Sequence, residues 1–471
     1  MKINYNNGKV QMLEVEDFYK EVAELLTKED ISDGPKEIDV KTEFGHVLYK
    51  LSLRSGTLMI AELENTLPNE LLEDSLKPCF LTCVIPEKNS YKFYKLTPDS
   101  TGVMAEYGRM GVEKGKLFGA RTYHYEASMY WPKYMEKISK GYVDRTELYM
   151  PDEQTLQQAA PNETTKAETI SAKLFQKLKK LSKLAVKRAK VQVPITKAII
   201  ERSKELLSKM YQAQTVDAFN NILLELIAIL QRPVETGDGS GVRKILANDP
   251  MQFARIIQRE SDLIQAMEGS ITGVTSVSKA EDFSDYEIEV YEATEKQKDQ
   301  VLSKLSNELK GKVKKVYRVI PKKQQKAFDE YLKRNNIKKV KQLWHGSRNE
   351  NWMSIIQNSL QLNPNAVITG KMYGNGIYFA PSSMKSWNYT SYRGTSWASG
   401  NSDVAFMGLY AVAYGTPYDT STWNSGIDWK GLVKSNHADC LHAHAGSALR
   451  NDEIVFYDEA AMVLNYIVEF E

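Results

Sequence analysis

A chain of 471 residues is long enough for three or four domains. Hydrophobic residues make up 42% and charged residues 26%, as in an ordinary globular protein, and no apolar run approaches a membrane span, so no membrane partner is expected. The only cysteines, Cys79, Cys83 and Cys440, exclude a disulfide scaffold and a zinc-finger array; with an opening that lacks an apolar signal core, they predict an intracellular protein.

The net charge of +2 hides an asymmetry, because residues 1–75 hold 16 acidic and 8 basic residues and are a poor nucleic-acid binder. Residues 1–80 mix a helical stretch, VEDFYKEVAELLTKED, with alternating strands and read as a small α/β unit of unassigned role. Cys79 and Cys83 lie in an apolar stretch and read as core. Between 88 and 147, YKFYKLTP and GVMAEYGRMG read as strands joined by a turn at 98–100, followed by the helix SMYWPKYMEKISKGY with Pro132 near its start. The polar, twice-prolyl stretch 151–170 reads as a linker.

Residues 171–270 are expected to be helical. The segment 166–190 carries nine basic residues and one acidic, and either meets phosphate or is the solvated face of an amphipathic helix with Leu174, Leu178, Leu181 and Ala185 inward. Pro194 is placed at a helix start, TVDAFNNILLELIAILQR reads as a buried helix stopped by Pro233, and a last helix is closed by Gly269. From 280 onward, YEIEVYEA, GKVKKVYRVI, KQLWHGS, NGIYFAP, FMGLYAVAYG, NDEIVFYD and VLNYIVEFE are strand-like, with helices EKQKDQVLSKLSNEL and PKKQQKAFDEYLKRNN between them. NHADCLHAHAG, with His437, Asp439, Cys440, His442 and His444, reads as a loop before the last strands; it has no clean ligand spacing, and no metal is expected.

Three residues stand out in order: His345 ending one strand, Tyr378 inside a second and Glu453 opening a third. Their strings, LWHGSR, TGKMYGNGIYFAPSSMKSWNY and DEIVFYD, resemble the catalytic domain of poly(ADP-ribose) polymerases. That resemblance implies an NAD+ site on a split β-sandwich over 280–471, with His345, Tyr378 and Glu453 as a His-Tyr-Glu triad and Lys385 beside the glutamate. It also implies that Gly346 and Ser386 hold the nicotinamide amide, that Tyr389 stacks on its ring, and that Ser347 and Asn351 lie toward the adenosine. Where the family often has an arginine, this chain has Gln361, toward the adenosine or phosphate end.

Upstream, residues 85–150 resemble a WGR domain, a β-sheet module with a helix, with Tyr107 in place of its tryptophan before Gly108 and Arg109. The block 171–270 resembles the family's all-α regulatory subdomain, completing an α+β multidomain chain. Between 88 and 147, eleven basic and seven acidic residues, with Tyr91, Tyr107, Tyr123 and Trp131 interspersed, suit phosphate contact and base stacking. The resemblance implies DNA breaks, nicks or ends, as the stimulus. It further implies that protein acceptors, the chain itself included, would receive the ADP-ribose, in a nucleus or a bacterial cytoplasm. Rival readings are a mono(ADP-ribosyl) transferase, a DNA-end sensor with a vestigial catalytic fold and a secreted toxin-type transferase. Retention of Glu453 weighs against the first, the complete triad against the second and the missing signal core against the third.

Overall fold

Alternating burial sets the architecture. In Gly45–Arg54, Val47, Tyr49 and Leu51 turn inward while Lys50 stays exposed. The computed structural model describes residues 2–4, 10–54, 56–68, 71, 76–113, 116–149, 169–191, 193, 195–232, 234, 241–271, 282–362, 372–424, 426–447 and 449–471. Nearly all of the expected linker, together with Pro194 and Pro233, lies outside them. The chain forms two compact units. One comprises residues 1–152, 191–199 and 224–246; the other comprises 153–190, 200–223 and 247–471.

The first unit holds two five-stranded sheets. One runs Val10–Met12, Lys2–Asn4, Lys36–Thr42, Gly45–Arg54, Thr57–Asn65, antiparallel throughout. The other runs Arg121–Tyr125, Gly102–Arg109, Ser90–Asp99, Cys79–Ile85, Val143–Asp144. The break drawn between 80 and 85 therefore falls inside a strand, whose Cys79, Leu81 and Cys83 all face the interior. The two sheets share one core. Phe18, Tyr19 and Leu26 of helix Val15–Thr27 meet Trp131 and Tyr134 of helix Tyr130–Ser139, with Tyr19 stacked on Trp131 at 4.3 Å. The hairpin turns at Ser100-Thr101, later than expected, because Asp99 Oδ1 accepts the Thr101 N–H at 2.8 Å while Pro98 stays in its strand.

Helix Val216–Ile229 ends in the same unit, where two tyrosines take up its terminal backbone groups. Tyr149 donates to the Ala228 and Ile229 carbonyls at 2.9 and 2.7 Å. Tyr91 donates to the Arg232 carbonyl at 3.0 Å and accepts the Arg232 N–H at 2.9 Å.

The second unit is built on two further sheets. A five-stranded antiparallel sheet runs Ile288–Glu292, Val313–Pro321, Met462–Phe470, Ala405–Val412, Lys341–Gly346. A four-stranded sheet runs Ile377–Phe379, Glu453–Phe456, Cys440–Ala443, Pro417–Thr420, its last pair parallel. Cys440–Ala443 is thus a strand and not the expected loop; set among the histidines at 437 and 444, it lacks the apolar alternation that marks strands, yet all four residues are buried. The helix expected over 295–309 is two pieces, Glu295–Ser303 and Asn307–Lys310, the first opened by a Thr294–Gln297 capping box.

Helix Ile170–Ala189, N-capped by Thr169, places Leu174, Phe175 and Leu178 in the same core as Phe283, Trp352 and Phe406. Its basic residues follow the amphipathic reading in part: Lys177 pairs with the buried Glu469, and Lys179 is itself buried. Helix Phe253–Ile271 runs through Gly269. That glycine does not close the helix; a Cβ there would lie 2.6 Å from Ser182 Oγ, so it permits close helix packing. Among the described residues, no helix is long and apolar enough to cross a membrane.

Candidate active site

Where the two sheets of the second unit meet, Trp344 and Ala380 exchange backbone hydrogen bonds of 2.9 and 3.0 Å, stitching the ends of Lys341–Gly346 and Ile377–Phe379 together. His345 follows immediately, with Nδ1 3.0 Å from the Tyr378 carbonyl. A carbonyl can only accept, so Nδ1 carries a proton. The Tyr378 hydroxyl donates to the Gly374 carbonyl at 2.9 Å and accepts the Tyr373 N–H at 3.0 Å. Burial pushes this phenol far up, outweighing the Tyr373 bond, and keeps it protonated.

Strand Glu453–Phe456 pairs with the Tyr378 strand, and Glu453 Oε1 lies 2.7 Å from Lys385 Nζ, the two side chains 12% and 13% exposed. Lys385 also donates to the Asn451 carbonyl at 3.0 Å. Burial first, and then the charge of Glu453, raises the phenols of both Tyr373 and Tyr389. Glu453 is therefore the electrostatic neighbour of Tyr373, Tyr378 and Tyr389 alike.

The short helix Ser383–Trp387 carries Lys385 and Ser386. The Ser386 hydroxyl, buried, donates to the Trp344 carbonyl at 3.0 Å and keeps lone pairs to accept from an incoming amide. Gly346 sits against this helix so closely that a Cβ would fall 1.8 Å from the Ser386 carbonyl oxygen. Tyr389, 44% exposed, lies near-parallel to Trp397 at 6.5 Å.

Past Gly346, the Asn351 amide donates to Ser347 Oγ at 3.0 Å and to Asp262 Oδ1 at 3.2 Å. Arg348 Nε lies 3.1 Å from Asp262 Oδ2. Sequence reasoning quoted Arg348 without a role and passed over Asp262 and Tyr373. Nothing in the local pattern of helix Phe253–Ile271 announces a partner about 90 residues away. Gln361 is exposed, and residues 369–371 of the TGKMYGNG string lie outside the described residues.

Burial of Asp262 raises its carboxyl to about 6, against the lowering effects of Arg348, Asn351 and Gln258. A raised acid favours the folded state fully below its ordinary range, and that contribution is lost as pH rises through about 6. Asp262→Asn should therefore flatten the stability loss between pH 4 and pH 7, by on the order of 3 kcal/mol at most. Denaturant midpoints at both pH values test this; parallel pH dependence in the variant would show that Asp262 titrates normally.

Tyr107, Gly108 and Arg109 belong to the first unit, on strand Gly102–Arg109. Tyr107 stacks on Tyr94 at 5.7 Å, and Arg109 donates to the Asn89 carbonyl at 2.9 Å beside the Phe118 ring. The expected aromatic stacking surface is reduced: Tyr91 and Trp131 are core residues, while Tyr123 is 57% exposed.

Comparison with known proteins places residues 289–471 in the family described as the poly(ADP-ribose) polymerase catalytic domain. A poly [ADP-ribose] polymerase-like protein, 100L, of Invertebrate iridescent virus 6 is 29% identical over 161 residues, 33% of this chain and 83% of that one. Poly [ADP-ribose] polymerase 2 of Homo sapiens is 56% identical over 48 residues, 10% of this chain and 8% of that one. The Zea mays protein of the same name is 50% identical over 48 residues, 10% of this chain and 7% of that one. The matched segment thus spans less than a tenth of these last two relatives.

Proposed function

Residues 289–471 are a catalytic domain of the poly(ADP-ribose) polymerase family, and from that premise we propose that this protein cleaves NAD+, passes ADP-ribose to protein side chains including its own, and extends it into polymer when it meets DNA breaks. The observation that carries the reading is Glu453, paired with Lys385 at 2.7 Å beside Tyr378 and within electrostatic reach of Tyr389. Cleaving the bond from ribose C1′ to nicotinamide moves positive charge onto the ribose, and a fixed carboxylate there stabilises it. The same carboxylate can hold a ribose hydroxyl and polarise the next acceptor hydroxyl.

The surroundings fit the dinucleotide. Gly346 leaves room that any Cβ would fill, Ser386 keeps acceptor capacity for the nicotinamide amide, and the exposed Tyr389 face suits a flat ring. Toward the adenosine side, the buried Asn351 Oδ1 has no hydrogen-bond partner among the described residues, so a ribose hydroxyl would satisfy it. Tyr389→Ala should weaken a nicotinamide-mimicking inhibitor by roughly 1 kcal/mol or more, about fivefold to tenfold, read by calorimetric titration. Unchanged affinity would put the ring elsewhere.

DNA stimulation rests on the first unit. Its edge strand Arg121–Tyr125 exposes Arg121, Tyr123 and His124, a cation and two flat rings on one rim. Helix Phe253–Ile271, held by Asp262 to Arg348 and Asn351, is the element to be released, and DNA can release it only by binding the open state better. Labelled NAD+ with and without nicked DNA tests the whole reading. We expect a ladder that DNA strengthens. One sharp band means mono-transfer, and no label leaves a DNA sensor. Arg109→Ala should lower DNA stimulation and leave DNA-free turnover nearly unchanged; full stimulation would remove Arg109 from the coupling.

A further inference from the structure

We propose that Asp419, His442 and His444 form a binding site for one divalent transition-metal ion, Zn2+ above all, that staples the outer strands of the four-stranded sheet. Register brings the ligands together. In the parallel pair Pro417–Thr420 and Cys440–Ala443, Asp419 lies directly opposite His442, and His444 follows two residues on, at the spacing that returns a strand to the same face. Their donor atoms all lie within 4.8 Å of one another. His444 Nε2 is 2.6 Å from Asp419 Oδ1, and His442 Nδ1 is 3.7 Å from that same oxygen. Ligand atoms about 2.0–2.2 Å from a tetrahedral ion stand roughly 3.4 Å apart, so the 2.6 Å pair must open by about 0.8 Å and no pair need close by more than about 1.4 Å.

The shell behind the ligands prepares His442. Asp452 Oδ2 lies 2.9 Å from His442 Nε2. The Asp452 carboxylate also accepts the Ala445 N–H at 2.8 Å, which fixes it in place. The carboxylate accepts, so Nε2 carries the proton and the lone pair lies at Nδ1, 3.7 Å from Asp419 Oδ1. This carboxylate–histidine arrangement fixes the tautomer a metal needs and strengthens the nitrogen as a ligand. The Tyr414 hydroxyl donates to that Nδ1 lone pair at 2.7 Å, a bond the ion must replace. Two imidazoles and one carboxylate suit Zn2+ and its neighbours in the first transition row better than Mg2+ or Ca2+.

The ion takes no part in ADP-ribosyl transfer. It ties the edge strand to the strand beside Glu453–Phe456, and its supporting Asp452 immediately precedes Glu453. The full chain, stripped with chelator and dialysed, should bind Zn2+ alone at one ion per chain by calorimetric titration, and its melting temperature should rise with Zn2+. Asp419→Asn and His444→Ala, both at partly exposed positions, should each weaken binding at least about tenfold and lose the thermal shift. Melting in chelator establishes that each variant folds, and Asp419→Asn, nearly isosteric, decides should His444→Ala fail to fold. No saturable binding by the wild-type chain overturns the proposal and leaves a His–Asp hydrogen-bond network. Binding unchanged in the folded variants overturns it equally, by placing the ion elsewhere.

Discussion

Glu453→Gln is expected to reduce polymer extension by at least about a hundredfold while some NAD+ cleavage survives. The amide keeps the shape of the side chain but removes the charge that, on the proposed function, faces the developing ribosyl cation. It also removes the ion pair that Lys385 makes at 2.7 Å, leaving that ammonium with the Asn451 carbonyl. Both side chains are largely screened from solvent, so the loss is not made good by water. Cleavage suffers less than extension because nicotinamide is already a cationic leaving group, whereas the acceptor hydroxyl depends on a carboxylate to polarise it. NAD+ consumption and a gel of labelled product, measured on the same preparation, separate the two steps. Long polymer from the variant would remove Glu453 from the chemistry.

Gly346→Ala should act through shape alone. The new Cβ would stand 1.8 Å from the Ser386 carbonyl oxygen and 2.7 Å from its carbon, and no rotamer change relieves a clash with backbone. Neither side yields easily. Gly346 is held in register opposite Met407, and Ser386 is tied to the Trp344 carbonyl at 3.0 Å. Relief requires displacing helix Ser383–Trp387, which carries Lys385 and Ser386 together. The expected result is about 1–3 kcal/mol of lost stability with a loss of nicotinamide-mimicking inhibitor binding beyond a hundredfold. Thermal unfolding and inhibitor titration read both. A variant that melts and binds like wild type would mean that the helix stands further from the strand than described.

Local patterns announced the parts of the site that are local. Trp344, Tyr378 and Val455 belong to strands that apolar alternation marks, and the glycines at 346 and 376 punctuate them. The motif order then suggested which of these strands bear chemistry. Distant contacts were not legible. Asp262 lies on a helix face whose polarity says only that it faces something polar, and the identity of Arg348 and Asn351 as its partners exists only in three dimensions. Cys440–Ala443 reads as a loop in sequence because His442 looks like a surface residue until Tyr414 and Asp452 enclose it. Gly269 looked like a helix end because sequence carries no sign of the neighbouring helix that requires it. Tyr91 and Trp131 looked available for stacking, since an aromatic ring reads alike in a core and on a surface.

Helix Ile170–Ala189 bears on how finely this protein can be subdivided. Leu174, Phe175 and Leu178 contribute to the core beneath the catalytic sheets, each worth roughly 1.5–3 kcal/mol when buried. Together they rival the whole stability margin of an ordinary domain, about 5–15 kcal/mol. A fragment starting near residue 280 would expose a greasy furrow over Phe283 and Trp352 and should aggregate, whereas one starting at Thr169 keeps the furrow filled. Deleting the entire helical block is therefore a poor test of the proposed release, because it would remove part of the foundation of these sheets as well.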